Sequence, residues 1–328
     1  MSLFRFRPIL CLLLLLAVLL FFLAIPTDSA LPTAGDYIKW VDFSVPYSVL
    51  EQTSALDIKS QGQVSWIDLL ALLAGKYGGE FSRFRKQELT DFADALQKGT
   101  SAEELGKAYP HFSYFKQAYS AILSEMIGTY YFKIEDGTFQ KRYGFKAYSP
   151  VAKGFYYSHY DDFGAGRSFG YKRKHLGNDL LGSIGTPIIA VESGVVEALG
   201  WNPYGGWRIG IRSFDQKRYY YYAHLRRDHP YAANLSEGDL VQAGDVIGYL
   251  GMTGYSTTEN VNNISTPHLH FGLQLIFDES QKDGTNQIWI DVYPLMKLLN
   301  KNKSPVVYVK EGKEYVRATT VVDPAFPE

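Results

Sequence analysis

Residues 265–275 read STPHLHFGLQL. In a strand, residues i and i+2 share a face, so His268 and His270 look one way while Leu269, Phe271 and Leu273 look the other. The apolar set fills a core, which makes this segment one strand of a sheet with one buried face and one polar face. Two of the chain's seven histidines stand on that polar face. Surface strands alternate polar and apolar residues for ordinary reasons, so the pair carries chemistry only if further ligands join it.

The same pattern extends outward. Gly and Pro punctuate short strand-like runs: TPIIAVESGVVEALGW (186–201), WRIGIRSF (207–214), KRYYYYAHL (217–225) and VIGYLGMTG (246–254). Trp207, Ile209 and Ile211 alternate with Arg208, Gly210 and Arg212, and Tyr220, Tyr222 and His224 are expected on one face of the next strand, where the tyrosines would line a groove. No long helix separates the runs, so the sheet is expected to be antiparallel. Upstream, from Asp36 to about Tyr131, apolar residues recur at helical spacing. Trp66, Leu69, Leu70, Leu73 and Tyr77 follow Ser65 as N-cap, Thr100-Ser101-Ala102-Glu103 reads as a capping box, and Phe112, Phe115, Tyr119, Ile122, Leu123 and Met126 continue the pattern. Past the sheet, a helix is expected around Val292 to Asn300 and a hairpin turning at Glu311-Gly312. The fold class is α+β. A helical N-terminal domain (31–147) precedes a mainly antiparallel β-sheet domain (148–280), and residues 281–328 form a C-terminal helix and hairpin extension.

Residues 1–30 read as a signal peptide or membrane anchor. Arg5 and Arg7 precede the unbroken apolar run Ile9 to Ile25, which is long for a signal-peptide core and short for a membrane span. The cleavage-like site Asp28-Ser29-Ala30 has a poor first residue, which favours the anchor. The basic side stays in the cytoplasm, so the rest is expected outside, anchored at the membrane or secreted to the cell envelope. The one cysteine, Cys11, lies inside that run rather than after it, which excludes a lipoprotein cysteine and leaves the exported part without a disulfide. At 328 residues and 46% hydrophobic, the chain can bury a sizeable core of about two domains. Lysine and arginine number 33 against 34 aspartates and glutamates, so no basic surface favours nucleic acid. There is no internal repeat and no low-complexity tract.

Further ligands are present. KHLGNDL (174–180) places His175 and Asp179 four apart, at a turn into a strand because Gly177-Asn178 breaks any helix. YYAHL (221–225) puts His224 at a strand end. With His268 and His270, four of the seven histidines and one carboxylate gather in one β-rich region. Two imidazoles and one carboxylate suit a catalytic zinc, which keeps a fourth position for water and lowers the pKa of that water to about 7. Two further histidines are then left to manage protons and a developing oxyanion.

Taken in order, these segments resemble the lysostaphin-type zinc metallopeptidases that cut bacterial cell-wall peptides. The resemblance rests on HLGNDL, GTPIIAVESGVV, YGGWRIGI, YYAHL, EGDLVQAGDVIGYLGMTGYS and PHLHFG, and covers about Arg167 to Leu275. It implies a β-sheet groove with one zinc per chain on its floor, held by His175, Asp179 and His270, with His224 and His268 as the catalytic pair. It also implies zinc-activated water as nucleophile and a peptidoglycan peptide as substrate, while the apolar N-terminal run adds the membrane as partner and the charge balance argues against nucleic acid. The chain departs from the family pattern by inserting TTENVNNIST (257–266) beside the site, and by lacking the usual acidic residue after His-Phe.

The expected activity is therefore zinc endopeptidase action on peptidoglycan cross-links. Two other classes fit parts of the pattern. A noncatalytic wall-binding or scaffold protein would keep the groove without needing His224 and His268. A zinc peptidase acting on secreted proteins has the same chemistry, and only the resemblance favours the wall. His111 and His229 read as turn or packing residues, and His159 as a residue near the cleft. Arg167 reads as a loop anchor or a partner for a substrate carboxylate.

Overall fold

In the helical part, the Ser65 side chain accepts from Asp68 N at 3.5 Å and starts the helix Trp66–Tyr77, which Gly78 ends at φ 66. Trp66, Leu69, Leu70 and Leu73 are buried, as their spacing requires. Helices Tyr47–Ser60, Lys86–Gln97, Ala102–Gly106 and Phe112–Leu123 complete the segment. The N-cap of Ala102–Gly106 is Ser101, whose hydroxyl accepts from Glu104 N at 3.1 Å, one residue later than the capping-box reading at Thr100. Glu103 instead reaches Lys116.

The computed structural model describes residues 37–301, 306 and 308–327. The apolar run Ile9 to Ile25 and Cys11 lie outside the described residues. Among those described, no helix is long and apolar enough to cross a membrane.

In chain order the strands are β1 Ile127–Lys133, β2 Phe139–Phe145, β3 Ser158–His159, β4 Gly166–Phe169, β5 Tyr171–Lys174, β6 Asn178–Leu181, β7 Pro187–Ile189, β8 Gly194–Asn202, β9 Gly206–Ser213, β10 Arg218–Ala223, β11 Leu240–Val241, β12 Val246–Tyr249, β13 His268–Leu275, β14 Ile288–Trp289, β15 Tyr308–Glu311, β16 Glu314–Arg317 and β17 Val321–Val322. The β1–β2 hairpin begins upstream of the point where the sequence turns visibly to β. The helical stripe runs into it with no Gly or Pro, because the break falls on Glu125, a non-glycine residue at φ 67. The helix Tyr293–Lys301 and the β15–β16 hairpin, with Gly312 at φ 63, stand where expected.

The main sheet has eight strands in the order β11-β8-β9-β10-β13-β6-β3, with β14 paired to β13, and every pairing is antiparallel. One face is apolar and buried, carrying Leu180, Ile209, Ile211, Leu269, Phe271 and Leu273. The other face floors a cleft. Two arginines sit on opposite sides of this arrangement. Arg208 faces the cleft, whereas Arg218 is fully buried.

Arg218 ties the sheet to the helices. Its Nε and Nη2 donate to the Glu192 carboxylate at 2.7 and 2.9 Å, and its Nη1 donates at 2.9 Å to the Ala121 carbonyl in the helix Phe112–Leu123. Tyr220 also donates to Glu192. Residues Lys39–Glu328 accordingly cluster as one unit. Breaking a buried pair from one side strands the other charge. Arg218→Met should therefore destabilise the fold by about 3–5 kcal/mol, read as a lower denaturation midpoint at unchanged slope. Adding Glu192→Leu should recover much of the loss. An Arg218→Met midpoint equal to the parent would show that the pair does not hold the helices to the sheet.

Candidate metal centre

Strands β6 and β13 are hydrogen-bonded neighbours, and their register sets Asp179 opposite His270 and Leu181 opposite His268. Asp179 and His270 thus stand side by side on the cleft face. His175 reaches them from the turn before β6. That turn has to pass close to β13, and a Cβ on Gly177 would lie 2.6 Å from the Phe271 carbonyl oxygen and 2.7 Å from the His270 ring. This close approach explains the glycine between His175 and Asp179. His175 Nε2 lies 2.9 Å from Asp179 Oδ1 and 2.8 Å from His270 Nδ1, and His270 Nδ1 lies 3.1 Å from Asp179 Oδ1.

The proton inventory of this trio is informative. His175 Nδ1 faces the Asp162 carbonyl oxygen at 3.1 Å. A carbonyl only accepts, so Nδ1 carries the proton and the neutral ring presents a lone pair at Nε2. That lone pair points at a carboxylate oxygen and at a second imidazole nitrogen. Three electron-rich atoms converging at hydrogen-bond distance call for a cation between them. The donor set, two imidazole nitrogens and one carboxylate oxygen, fits zinc with a position left open, and these three residues form a group able to hold a metal ion. Burial alone would push the Asp179 carboxyl up, but the contacts with His175 and His270 and the charges of His270 and His268 outweigh this and hold it well below the usual carboxylate range. Burial draws His270 down, partly opposed by Asp179.

An outer set of groups orients the trio. Arg167 Nη2 donates to Asp179 Oδ2 at 3.1 Å and to Asp162 Oδ2 at 2.7 Å, so it is a positioning residue for the carboxylate. Asp162 was not singled out in the sequence. It lies in a run without motif spacing, and it acts twice, through its main-chain carbonyl on His175 and through its carboxylate on Arg167. His159 binds Asn178 at 2.7 Å and packs on Tyr293, behind β6 and away from the trio. His229 pairs with Glu314 and stacks on Tyr249, and His111 is an exposed residue at the start of a helix.

His224 and His268 share a second arrangement. His224 Nδ1 donates to the Thr253 carbonyl at 2.8 Å and His268 Nδ1 to the Thr266 carbonyl at 2.8 Å, which leaves a lone pair on each Nε2. Their rings are 4.7 Å apart, and His268 Nε2 is 3.7 Å from Asp179 Oδ1. Burial holds His224 well below the ordinary histidine range, and the charges of His268 and His270 add to this. His224 is also a non-glycine residue at φ 61, a conformation that surrounding structure must impose. Beside it Gly206, at φ 65, packs against residues 253–254, where a Cβ would meet the Thr253 carbonyl carbon at 2.4 Å.

The left-handed residue corrects one expectation. Tyr220 and Tyr222 do not share the cleft with His224; both are buried on the core face. Alternation stops at Ala223, and the turn at His224 swings the imidazole to the opposite face. Tyr219 and Tyr221 line the cleft instead. The cleft has a volume of about 890 Å³ and is walled by Tyr204, Tyr255 and Trp289. Residues 263–266 of the inserted loop line it as well, and Asn260 pins that loop by accepting from Trp207 Nε1 at 2.9 Å.

Known proteins resemble this chain over the segment that carries the cleft. The family model described as Peptidase family M23 matches residues 173–284. An L-Ala–D-Glu endopeptidase of Bacillus subtilis (strain 168) is 36% identical over 163 residues, covering 47% of this chain and 46% of that protein. Lysostaphin of Staphylococcus simulans is 41% identical over 98 residues, covering 30% of this chain and 17% of that protein. The chain therefore spans less than half the length of these curated relatives. The solved structure of the lytM protein from Ruminococcus gnavus ATCC 29149 aligns with a TM-score of 0.54 at 24% identity, over 77% of this chain and 88% of that one, which is a likeness of fold. Residues 173–284, which contain His175, Asp179, His224, His268 and His270, are a domain of peptidase family M23.

Proposed function

We propose that this chain is a zinc-dependent endopeptidase that hydrolyses peptide cross-links of bacterial peptidoglycan. The observation that carries the reading is the convergence of His175 Nε2, His270 Nδ1 and Asp179 Oδ1, with the His175 proton held on the far side by the Asp162 carbonyl. In this reading His175, Asp179 and His270 hold one zinc ion per chain. When bound, zinc supplies Lewis acidity that polarises a carbonyl and acidifies water. His224 and His268 act on protons. Each has its Nδ1–H fixed on a main-chain carbonyl and its Nε2 free to accept a proton or, once protonated, to donate to a developing oxyanion. The aromatic walls orient an extended peptide along the floor. The wall as substrate draws support from the relatives, which include an L-Ala–D-Glu endopeptidase and lysostaphin.

The reading places the chain's action outside the cytoplasm, with the run Ile9 to Ile25 as membrane anchor, the helical segment 31–147 as a spacer, the peptidase at 148–280, and 281–328 as its extension. Fractionation of cells tests the anchor, and a soluble mature form beginning near Leu31 would replace it with a cleaved signal.

For the activity, metal analysis of the purified chain should give one zinc per molecule. Digestion of isolated cell wall should release fragments that mass spectrometry identifies as peptide cleavage with intact glycan. Full hydrolysis by a preparation free of divalent metal would overturn the proposal.

A further inference from the structure

The hairpin β4–β5 overhangs the cleft and sets two arginines directly opposite each other, since Arg167 and Arg173 are cross-strand partners. Like charges in that position repel. Arg167 is neutralised by Asp162 and Asp179. Arg173 is not. Its guanidinium lies 4.9 Å from the ring of Tyr204 and 5.2 Å from that of Tyr255, and no carboxylate among the described residues lies within ion-pair reach. Its Nη1 is buried without any hydrogen-bond partner. Across the floor, Arg208 on β9 is in the same condition: it lines the cleft, has no counter-charge among the described residues, and its Nε is buried without a partner.

Two half-buried cations without anions are costly unless something pairs with them. The other arginines near this sheet show the contrast. Arg212 is matched by Glu197 and Glu279, and Arg218 by Glu192 and Asp215. Arg173 and Arg208, which line the cleft, have no carboxylate partner among the described residues. Both also lie close to the histidine cluster. Tyr255, under Arg173, meets the His224 ring edge-on at 5.8 Å. Asn202 donates to the Tyr221 hydroxyl at 3.0 Å, and Tyr221, Arg173 and Arg208 line the same cleft. The Tyr221 ring in turn meets His270 edge-on at 5.9 Å.

We propose that Arg173 and Arg208 form a carboxylate-binding subsite beside the histidine cluster, so that the enzyme selects a peptide bearing a free carboxylate next to the scissile bond over a neutral bridge such as oligoglycine. This rests on the peptidase reading above and narrows its substrate to an acidic stem peptide. A guanidinium binds a carboxylate with two parallel hydrogen bonds, and the stacking of Arg173 on two tyrosines fixes the plane of its fork.

The test uses the full zinc-loaded chain and two short peptides of one sequence, one with glutamate beside the cleavage point and one with glutamine. Titration calorimetry should show the acidic peptide binding ~10- to 100-fold more tightly, the usual worth of a charge-assisted hydrogen-bond pair. Arg173→Gln and Arg208→Gln should each shrink that ratio towards one, and Arg173→Lys, which keeps charge but not the fork, should keep part of it. A merely structural role would weaken both peptides in the same proportion and leave the ratio unchanged. Equal affinities in the parent chain, no binding of either peptide, or an unchanged ratio in both glutamine variants would overturn the subsite. Hydrolysis of the same peptides is followed in parallel. Tighter binding of the acidic peptide with no cleavage of either would leave the subsite standing and overturn the peptidase reading instead.

Discussion

His270→Ala will empty the metal site and, with it, remove measurable peptide hydrolysis. The three donor atoms lie within 2.8 to 3.1 Å of one another, and a catalytic zinc takes three protein ligands. Removing one leaves two donors, too few to hold the ion. Asp179→Ala should do the same and should also release Arg167, whose Nη2 would keep only Asp162. The outer groups set a scale for comparison. Arg167→Met leaves all three donors in place but frees the Asp179 carboxylate to turn, which should weaken metal affinity by about 10- to 100-fold. Metal content after dialysis, measured alongside hydrolysis, separates Arg167→Met from the two ligand variants. A His270→Ala protein that retains stoichiometric zinc would remove His270 from the ligand set.

Residues 265–275 were readable because strand alternation is a local rule. Leu269, Phe271 and Leu273 are buried, and His268 and His270 stand on the opposite face. The turn between His175 and Asp179 was also readable, since Gly177-Asn178 breaks a helix; the close approach that demands the glycine, where a Cβ would lie 2.6 Å from the Phe271 carbonyl oxygen, shows only in the fold. What escaped the sequence follows from non-local causes. The cleft face of β10 was assigned to Tyr220 and Tyr222 because alternation was carried through His224, and nothing in the letters announces a histidine at φ 61. Asp162 works through its main-chain oxygen on His175 and its carboxylate on Arg167, partners that only the fold brings to it, so its place in the sequence carried no signal. The missing counter-charges of Arg173 and Arg208 appear only when the hairpin β4–β5 and the strand β9 are brought to one cleft. The β1–β2 hairpin was hidden by a helix that ends on Glu125 with no glycine to mark it. Patterns confined to one element were legible; pairings between elements were not.

His268 and His270 are two residues apart on one face, yet their substitutions should differ in kind. Two residues of strand shift the backbone by about 6.5 Å, and here the two imidazoles turn to different partners. His270 Nδ1 is 3.1 Å from Asp179 Oδ1, whereas His268 Nε2 is 3.7 Å away and its ring faces His224 at 4.7 Å. Both His224 and His268 hold their Nδ1 protons on main-chain carbonyls, of Thr253 and Thr266, an arrangement that fixes the ring and points Nε2 towards a reacting group. His268→Ala should keep its zinc and lose roughly 100- to 10,000-fold in turnover, the range for a general base or an oxyanion donor. His224 needs a different substitution, because alanine at φ 61 adds backbone strain to the loss of the imidazole. Asparagine tolerates that conformation, so His224→Asn isolates the chemistry and should show the same pattern of retained zinc and lost turnover. Thermal denaturation of His224→Asn and His224→Ala side by side checks that strain and chemistry have been separated. If His268→Ala lost the metal while His270→Ala stayed loaded, the two histidines would have to exchange roles. If His268→Ala and His224→Asn both turned over substrate at the parent rate, proton transfer would have to be assigned elsewhere in the cleft.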